Sequence, residues 1–210
     1  MITSIIDIFH GNEVDWDAAV AGGITAVIHK ATQGLNFTDS QYVGRRAKAK
    51  ELGLLWGAYH FATGDSVAGQ VEHFLAFAKP EDDELIALDF EPNTSGGPTM
   101  TIAQAREFVE AVKDKTGRFP VVYGGHLIRE AIGQSHDPVL ANCPLWYVRI
   151  AATPIGIPTQ VWPDYTLWQY TDGDSGIEPV KTPGVQGADR NMFKGTVDDL
   201  KAAWPFTFTE

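Results

Sequence analysis

Eight short apolar segments rich in β-branched and aromatic residues recur along this 210-residue chain, and most are separated by stretches whose apolar positions have helical spacing. They are SIIDIF (4–9), TAVIHKA (25–31), LLWGAYHF (54–61), ELIALDFE (84–91), PVVYGG (120–125), PLWYVRI (144–150), YTLWQYT (165–171) and GADRNMF (187–193). Strands that alternate with helices imply a parallel sheet, because a parallel return needs a crossover connection. Eight of them in a chain this short favour a small, irregular TIM-like β/α barrel. An open doubly wound sheet is the rival, but it advertises itself by a Gly-rich phosphate turn after the first strand, and HGNEVDW offers only Gly11.

Helices are expected near 15–22, 40–52, 66–78, 101–116, 126–133 and 197–204. Asp39-Ser40, Asp65-Ser66 and Thr101 supply N-cap side chains, and Thr116-Gly117 supplies a stop. Pro, Gly and Thr dominate 151–164 and 172–187, so helices should be missing or short in the second half. Nothing in the composition breaks the chain, and one catalytic domain over 1–210 is expected.

Charge and cysteine content narrow the function. Sixteen basic residues against 27 acidic ones give a net charge of −11, and no basic run is longer than Arg45-Arg46. That balance argues against nucleic acid and against anionic membranes as partners. The single cysteine, Cys143, excludes an intrachain disulfide and a cysteine-based zinc site. MITSIIDIF lacks a basic n-region and Asp7 interrupts its apolar run, so no export signal is expected in the chain as it stands.

In a β/α barrel the C-terminal strand ends form the working face. Asp7, His29, Lys30, Tyr59, His60, Asp89, Glu91, Tyr123, Arg149, Gln169 and Asp189 all fall at or near such ends. The sharpest signal is the pair in IALDFEPN. Side chains alternate along a strand, so Asp89 and Glu91 share a face, roughly 6.5–7 Å apart at Cα, with Phe90 on the other. Two carboxylates that close in a desolvated cleft cannot both ionise freely, and one pKa should rise toward that of a general acid. Glycoside hydrolysis uses such a pair, one carboxyl as proton donor and one carboxylate beside the sugar cation. A Mg²⁺ or Ca²⁺ site built from the same acids is the competing reading, ranked second because the six histidines are dispersed. Neither metal nor cofactor is expected. Aromatic residues on late strand segments, among them Tyr59, Phe61, Tyr123, Trp146 and Trp168, would line a groove suited to pyranose rings.

Six segments in chain order resemble glycoside hydrolase family 25, the Chalaropsis-type N-acetylmuramidases. IIDIFHGNEVDW is similar to that family's "IDxS…DW", IHKATQG to "KATEG", GLLWGAYHF to "GxYHF", LDFE to "LDxE", LWQYTDG to "WQY", and GADRNMF to "xDxNxF". The resemblance implies a lysozyme-like barrel that cleaves the β-1,4 bond between N-acetylmuramic acid and N-acetylglucosamine in peptidoglycan, with net retention. It implies Glu91 as general acid, with Asp7, Asp89 and Asp189 as acidic partners. The nucleophile is either an Asp or the substrate's own N-acetyl oxygen. Tyr59 and Tyr123 become ligand-contacting hydroxyls, joined as substrate-binding candidates by Phe61, Trp146, Trp168 and Lys30. A monomer acting on the extracellular or periplasmic wall is expected. The chain departs from the family pattern at Gln33, at Phe9-His10 and in WYVRI. A non-catalytic wall-binding barrel and a hydrolase of another amino-sugar polymer are the alternatives.

Overall fold

Nine strands form a single sheet in the spatial order β1 (Ile2–Ile8), β9 (Asp189–Phe193), β8 (Leu167–Thr171), β7 (Leu145–Val148), β6 (Val121–Gly124), β5 (Leu85–Asp89), β4 (Leu55–Phe61), β2 (Ala26–Gln33) and β3 (Phe37–Thr38), and an added β1–β2 pairing closes eight of them into a barrel. The computed structural model describes residues 1–207. In chain order the elements are β1 (Ile2–Ile8), α1 (Trp16–Ala21), β2 (Ala26–Gln33), β3 (Phe37–Thr38), α2 (Tyr42–Glu51), β4 (Leu55–Phe61), α3 (Val67–Ala78), β5 (Leu85–Asp89), α4 (Ile102–Thr116), β6 (Val121–Gly124), α5 (His126–Ile132), β7 (Leu145–Val148), β8 (Leu167–Thr171), β9 (Asp189–Phe193) and α6 (Val197–Ala203). Among the described residues a three-residue 3₁₀ turn at Leu140–Asn142 precedes β7, and no helix lies between β7 and β8 or between β8 and β9.

All eight expected strands and all six expected helices form, with three corrections. β9 runs antiparallel to both β1 and β8, so the barrel is mixed rather than parallel. The 172–188 loop stays at the rim where β8 ends, so β9 starts there and runs downward, whereas the helix-free 149–166 connection returns to the lower end and β8 runs parallel to β7. The two-residue β3, unannounced by any apolar run, pairs antiparallel with the end of β2 through Thr32–Thr38 and Gln33–Phe37. Asp39 does not cap α2 as an N-cap side chain. It accepts the Gln41 amide at 2.9 Å and turns its other oxygen to His10.

The remaining caps follow the sequence. Thr101 and Gln104 form a reciprocal capping box on α4, and Gly117 ends it at φ 80, a left-handed position where a side chain would be strained. Ser66 caps α3 through the Gly69 amide.

Period-two alternation sorts each strand into two layers. Ile5, Ile28, Leu85, Ala87, Val121, Trp146 and Leu167 pack inside the barrel. Ile6, Val27, Ala58, Leu88, Val122 and Tyr147 face the surrounding helices. Because β9 descends, α6 starts at the lower end, and Leu200, Trp204 and Phe206 plug that mouth from below. The Trp204 indole donates to the Trp56 carbonyl at 3.2 Å. The interior is thus solid at the bottom, and the inward positions near the top are where polar side chains can sit.

Candidate active site

Asp7, Tyr59, Asp89, Glu91, Tyr123, Trp146 and Asp189 line one narrow cavity of about 70 Å³ at the upper mouth. Three of them arrive on inward strand positions two residues above an inner-layer apolar side chain, Asp7 above Ile5, Asp89 above Ala87 and Tyr123 above Val121, and Glu91 follows two residues beyond Asp89, just past the end of β5. Asp189 sits at the start of β9, and it reaches this rim only because β9 runs antiparallel.

The Asp89-Glu91 segment is fixed by its neighbours. The Asp89 carbonyl accepts from the Ala62 amide at 3.0 Å and the Phe90 amide donates to the Tyr123 carbonyl at 3.0 Å. Phe90 packs among the helices, so alternation carries both acids into the cavity. Pro92 then turns the chain into a loop that closes on itself, with the Asn93 amide donating to Thr99 Oγ1 at 2.9 Å and Asn93 Nδ2 to the Gly96 carbonyl at 2.7 Å.

Two amide side chains organise the opposite wall. Gln169 Nε2 donates to Asp7 Oδ1 and Oδ2 at 3.1 and 3.0 Å and to Asp189 Oδ2 at 3.0 Å, while its Oε1 accepts the Tyr123 hydroxyl at 2.7 Å. Asn191 Nδ2 donates to Asp7 Oδ2 at 2.8 Å, and its Oδ1 accepts the Trp146 indole at 2.6 Å. Gln169 was expected at this rim without a role, and Asn191 was not among the expected site residues. Asn191 lies two positions from Asp189, the same spacing that singles out Asp89 and Glu91, so the signal was there.

Burial shapes the ionisation of all four acids. Desolvation raises Asp7 to about 6 despite the Asn191 and Gln169 donors, with the Glu91 charge adding to the rise. Asp189 has fewer donors and is pushed up to about 9, first by burial and then by Asp7. Burial, reinforced by Glu91, holds Asp89 well above the usual carboxylate range, and its Oδ1 has no hydrogen-bond partner among the described residues. Burial raises Glu91 as well, opposed by its interaction with Asp89 and by the charges of His126 and Lys30. A group of acids this dry cannot carry a full set of negative charges, and the site holds protons at pH values where free carboxylates have lost them. Tyr59 and Tyr123 are pushed up by burial and then by the acids, so both hydroxyls stay protonated.

The other expected residues are placed differently. Lys30 and Phe61 adjoin the cavity on the β2–β4 side without lining it. Lys30 Nζ lies 4.8 Å from the Phe61 ring centroid and donates to Gln33 Oε1 at 2.6 Å, and burial lowers its pKa while Asp89, Asp39 and Glu91 resist. Trp168 is not brought to the cavity. It takes an outward position between Leu167 and Gln169, packs beside Tyr165 and Tyr170, and donates to the Arg149 carbonyl at 2.8 Å. His29 and His60 also face outward. His29 donates to the Lys30 carbonyl and is lowered by burial to about 4; His60 bridges Thr32 and Gln70 and is lowered by burial to about 3. Both are neutral pins between strand and helix.

A cation suits these acids poorly, because the Gln169 and Asn191 amides point N–H donors at the oxygens a metal would need. Among the described residues, three acids with ligand atoms within 4.8 Å of one another occur only at Glu81, Asp83 and Glu84, at the other end of β5. There Arg46 and Lys50 already pair with Glu81 and Glu84 at 2.7–3.2 Å.

The chain and its fold have counterparts among known proteins. The chain is 30% identical over 200 residues to the N,O-diacetylmuramidase of Arthroderma benhamiae, covering 90% of this chain and 80% of the relative. It is 28% identical over 205 residues to the N,O-diacetylmuramidase of a Chalaropsis species, covering 90% and 92%. A family 25 lysozyme from Aspergillus fumigatus superposes with a TM-score of 0.80 at 25% identity, over 95% of this chain and 97% of that one. Residues 6–177 match the sequence model of Glycosyl hydrolases family 25, and with the barrel and its acid-lined mouth in place, the chain belongs to that family.

Proposed function

We propose that the chain is a lysozyme that hydrolyses the β-1,4 bond between N-acetylmuramic acid and N-acetylglucosamine, with Glu91 as proton donor. The observation that carries the assignment of roles is the gathering of Asp7, Asp89, Glu91 and Asp189 in one desolvated cavity beside two protonated tyrosines. Glu91 is the acid closest to solvent along the Asp89-Glu91 segment, half-buried where Asp89 is 5 % exposed, and so is the one that meets a glycosidic oxygen. Its raised pKa keeps the proton available at mildly acidic pH.

As the bond lengthens, positive charge develops at the anomeric carbon of the muramic acid. Asp7 is the carboxylate best prepared to face it, since three amide contacts hold it ionised longer than Asp189. An Asp carboxylate or the substrate's N-acetyl oxygen then closes on the anomeric carbon from the far face, and water opens the adduct with net retention. Tyr59 and Tyr123 supply hydroxyls to the substrate. The cavity is built from one chain, so a monomer suffices, and the polymer locates its work in the extracellular or periplasmic wall.

Glu91→Gln tests the assignment, because it deletes the proton with little change in volume. Wall-clearing by the variant should fall at least about a hundredfold, the usual worth of a positioned general acid. Circular dichroism identical to that of the parent would show the loss to be chemical, and clearing at the parent's rate would sink the role. Retention is checked separately by proton NMR of a fresh digest, where the β-anomer of the new reducing end should appear before mutarotation.

A further inference from the structure

Beside the acid cavity, on the β1–β3 side of the rim, three rings meet that the catalytic scheme does not use. Phe9 and His10 follow β1, and Phe37 belongs to β3. The Phe9 and His10 centroids are 5.1 Å apart edge to face, and those of His10 and Phe37 are 5.7 Å apart. Phe9 and Phe37 are 42% and 40% exposed. Single exposed apolar side chains are ordinary on any surface, but three rings in contact beside the acid cavity present a continuous face on which a flat ligand can stack.

The patch is held rigid by buried polar groups. Asp39, 1% exposed, accepts the His10 amide at 2.8 Å and lies 3.1 Å from His10 Nδ1. The Phe9 amide donates to Asn12 Oδ1 at 2.8 Å, and the Phe9 carbonyl accepts from Arg45 at 2.8 Å. Phe9 folds its ring back over Gly11, where a Cβ would come within 2.6 Å of the ring, so only glycine leaves the ring where it is. Exposed rings on so fixed a backbone lose little freedom when a ligand stacks on them.

Lys30 ties the patch to the acids. Its ammonium lies 5.3 Å from the Phe37 centroid, and its charge acts on Asp89 and Glu91. A ligand that spans patch and cavity is therefore continuous across Lys30. Its chemistry follows from the surfaces: flat apolar C–H faces for the rings, and hydroxyl or acetamido oxygens for Lys30.

We propose that Phe9, His10 and Phe37 form a stacking platform for a further pyranose of the same glycan strand that threads the acid cavity. The platform rests on the muramidase reading above, and it matters for long strands rather than for the bond broken.

The test uses Phe9→Ala, Phe37→Ala and their combination, with Phe37→Leu and Phe37→Tyr as controls. On purified glycan strands the double variant should raise KM by about five- to tenfold, equivalent to about 1.0–1.4 kcal/mol, with kcat within about twofold of the parent. On the shortest oligosaccharide that is cut, both constants should stay at parental values. Phe37→Tyr should behave as the parent and Phe37→Leu as the alanine variant. Unchanged KM on long strands, parental behaviour by Phe37→Leu, or equal losses on every substrate length would overturn the platform. In a Glu91→Gln background, titration with N-acetylglucosamine oligomers followed by NMR should show weaker binding when both rings are removed, and equal binding would overturn it without reference to cleavage. Sedimentation showing self-association that Phe9→Ala abolishes, with oligomer affinity unchanged, would assign the patch to a second copy of the chain instead. If the parent itself releases no fragments from peptidoglycan, it is the muramidase reading that fails.

Discussion

Four acids in one dry cavity stabilise catalysis at the expense of the fold, and the sign of that cost can be worked out for Asp189. Its folded pKa of about 9 lies far above the ordinary 3.8, so between those values the folded chain keeps a proton that the unfolded chain has released. Stability then falls as pH rises through that window. Asp189→Asn should therefore raise Tm at about pH 8, by several degrees at roughly 2–4 °C per kcal/mol for a chain of this size, and change little at about pH 4. Thermal unfolding at the two pH values checks this, and equal Tm gains at both would contradict it. Gln169 governs the same balance through Asp7. Gln169→Leu removes donors that hold Asp7 down, so the acid limb of the kcat/KM profile should move to higher pH while the alkaline limb, which reports the Glu91 proton, stays in place. A profile unchanged in both limbs would remove Gln169 from the account.

At the scale of elements, the barrel depends on a strand that runs against its neighbours. Because β9 descends, Asp189 opens at the rim and α6 is delivered beneath the barrel, where Leu200 is fully buried among the inner-layer side chains. Leu200→Ala should cost about 2–5 kcal/mol, read by urea unfolding, with kcat per folded molecule unchanged, since the plug lies at the far end from the acids. Much of this was legible beforehand. The eight strands and six helices follow from apolar period and caps, and the inward placing of Asp89 and Glu91 follows from alternation alone. The direction of β9 was not legible, because GADRNMF alternates equally well read upward or downward, and a missing crossover helix does not decide it, since the connection from β7 to the parallel β8 lacks one too. Trp168 was misplaced for a related reason. Its aromatic character suggested a groove, yet it lies one residue from Gln169 and alternation sends neighbours to opposite faces. Phe37-Thr38 is too short a strand for any periodic signal. Gln169 was legible as a polar residue at a strand end, but neither it nor Asn191 titrates, and their tuning of Asp7 follows only from the side-chain hydrogen bonds.

For the whole molecule, net charge sets which walls the enzyme meets easily. At −11 the chain is repelled by walls bearing anionic polymers. Raising ionic strength from about 20 to 150 mM shortens the Debye length from roughly 20 Å to 8 Å. Clearing of walls rich in teichoic acid should speed up over that range, while hydrolysis of short soluble peptidoglycan fragments free of teichoic acid should change far less. Turbidity and oligosaccharide assays run in parallel separate the two. Equal salt dependence on both substrates would place the effect in the cavity rather than in the field of the molecule.

The central claim is that the acid cluster breaks the bond on the muramic acid side with Glu91 as donor. It is tested most directly by digesting purified peptidoglycan, reducing the new ends with borohydride and identifying them by mass spectrometry. The account predicts fragments ending in reduced N-acetylmuramic acid from the parent chain and none from Glu91→Gln. Fragments ending in reduced N-acetylglucosamine, or the same fragments in the same yield from both proteins, would contradict it.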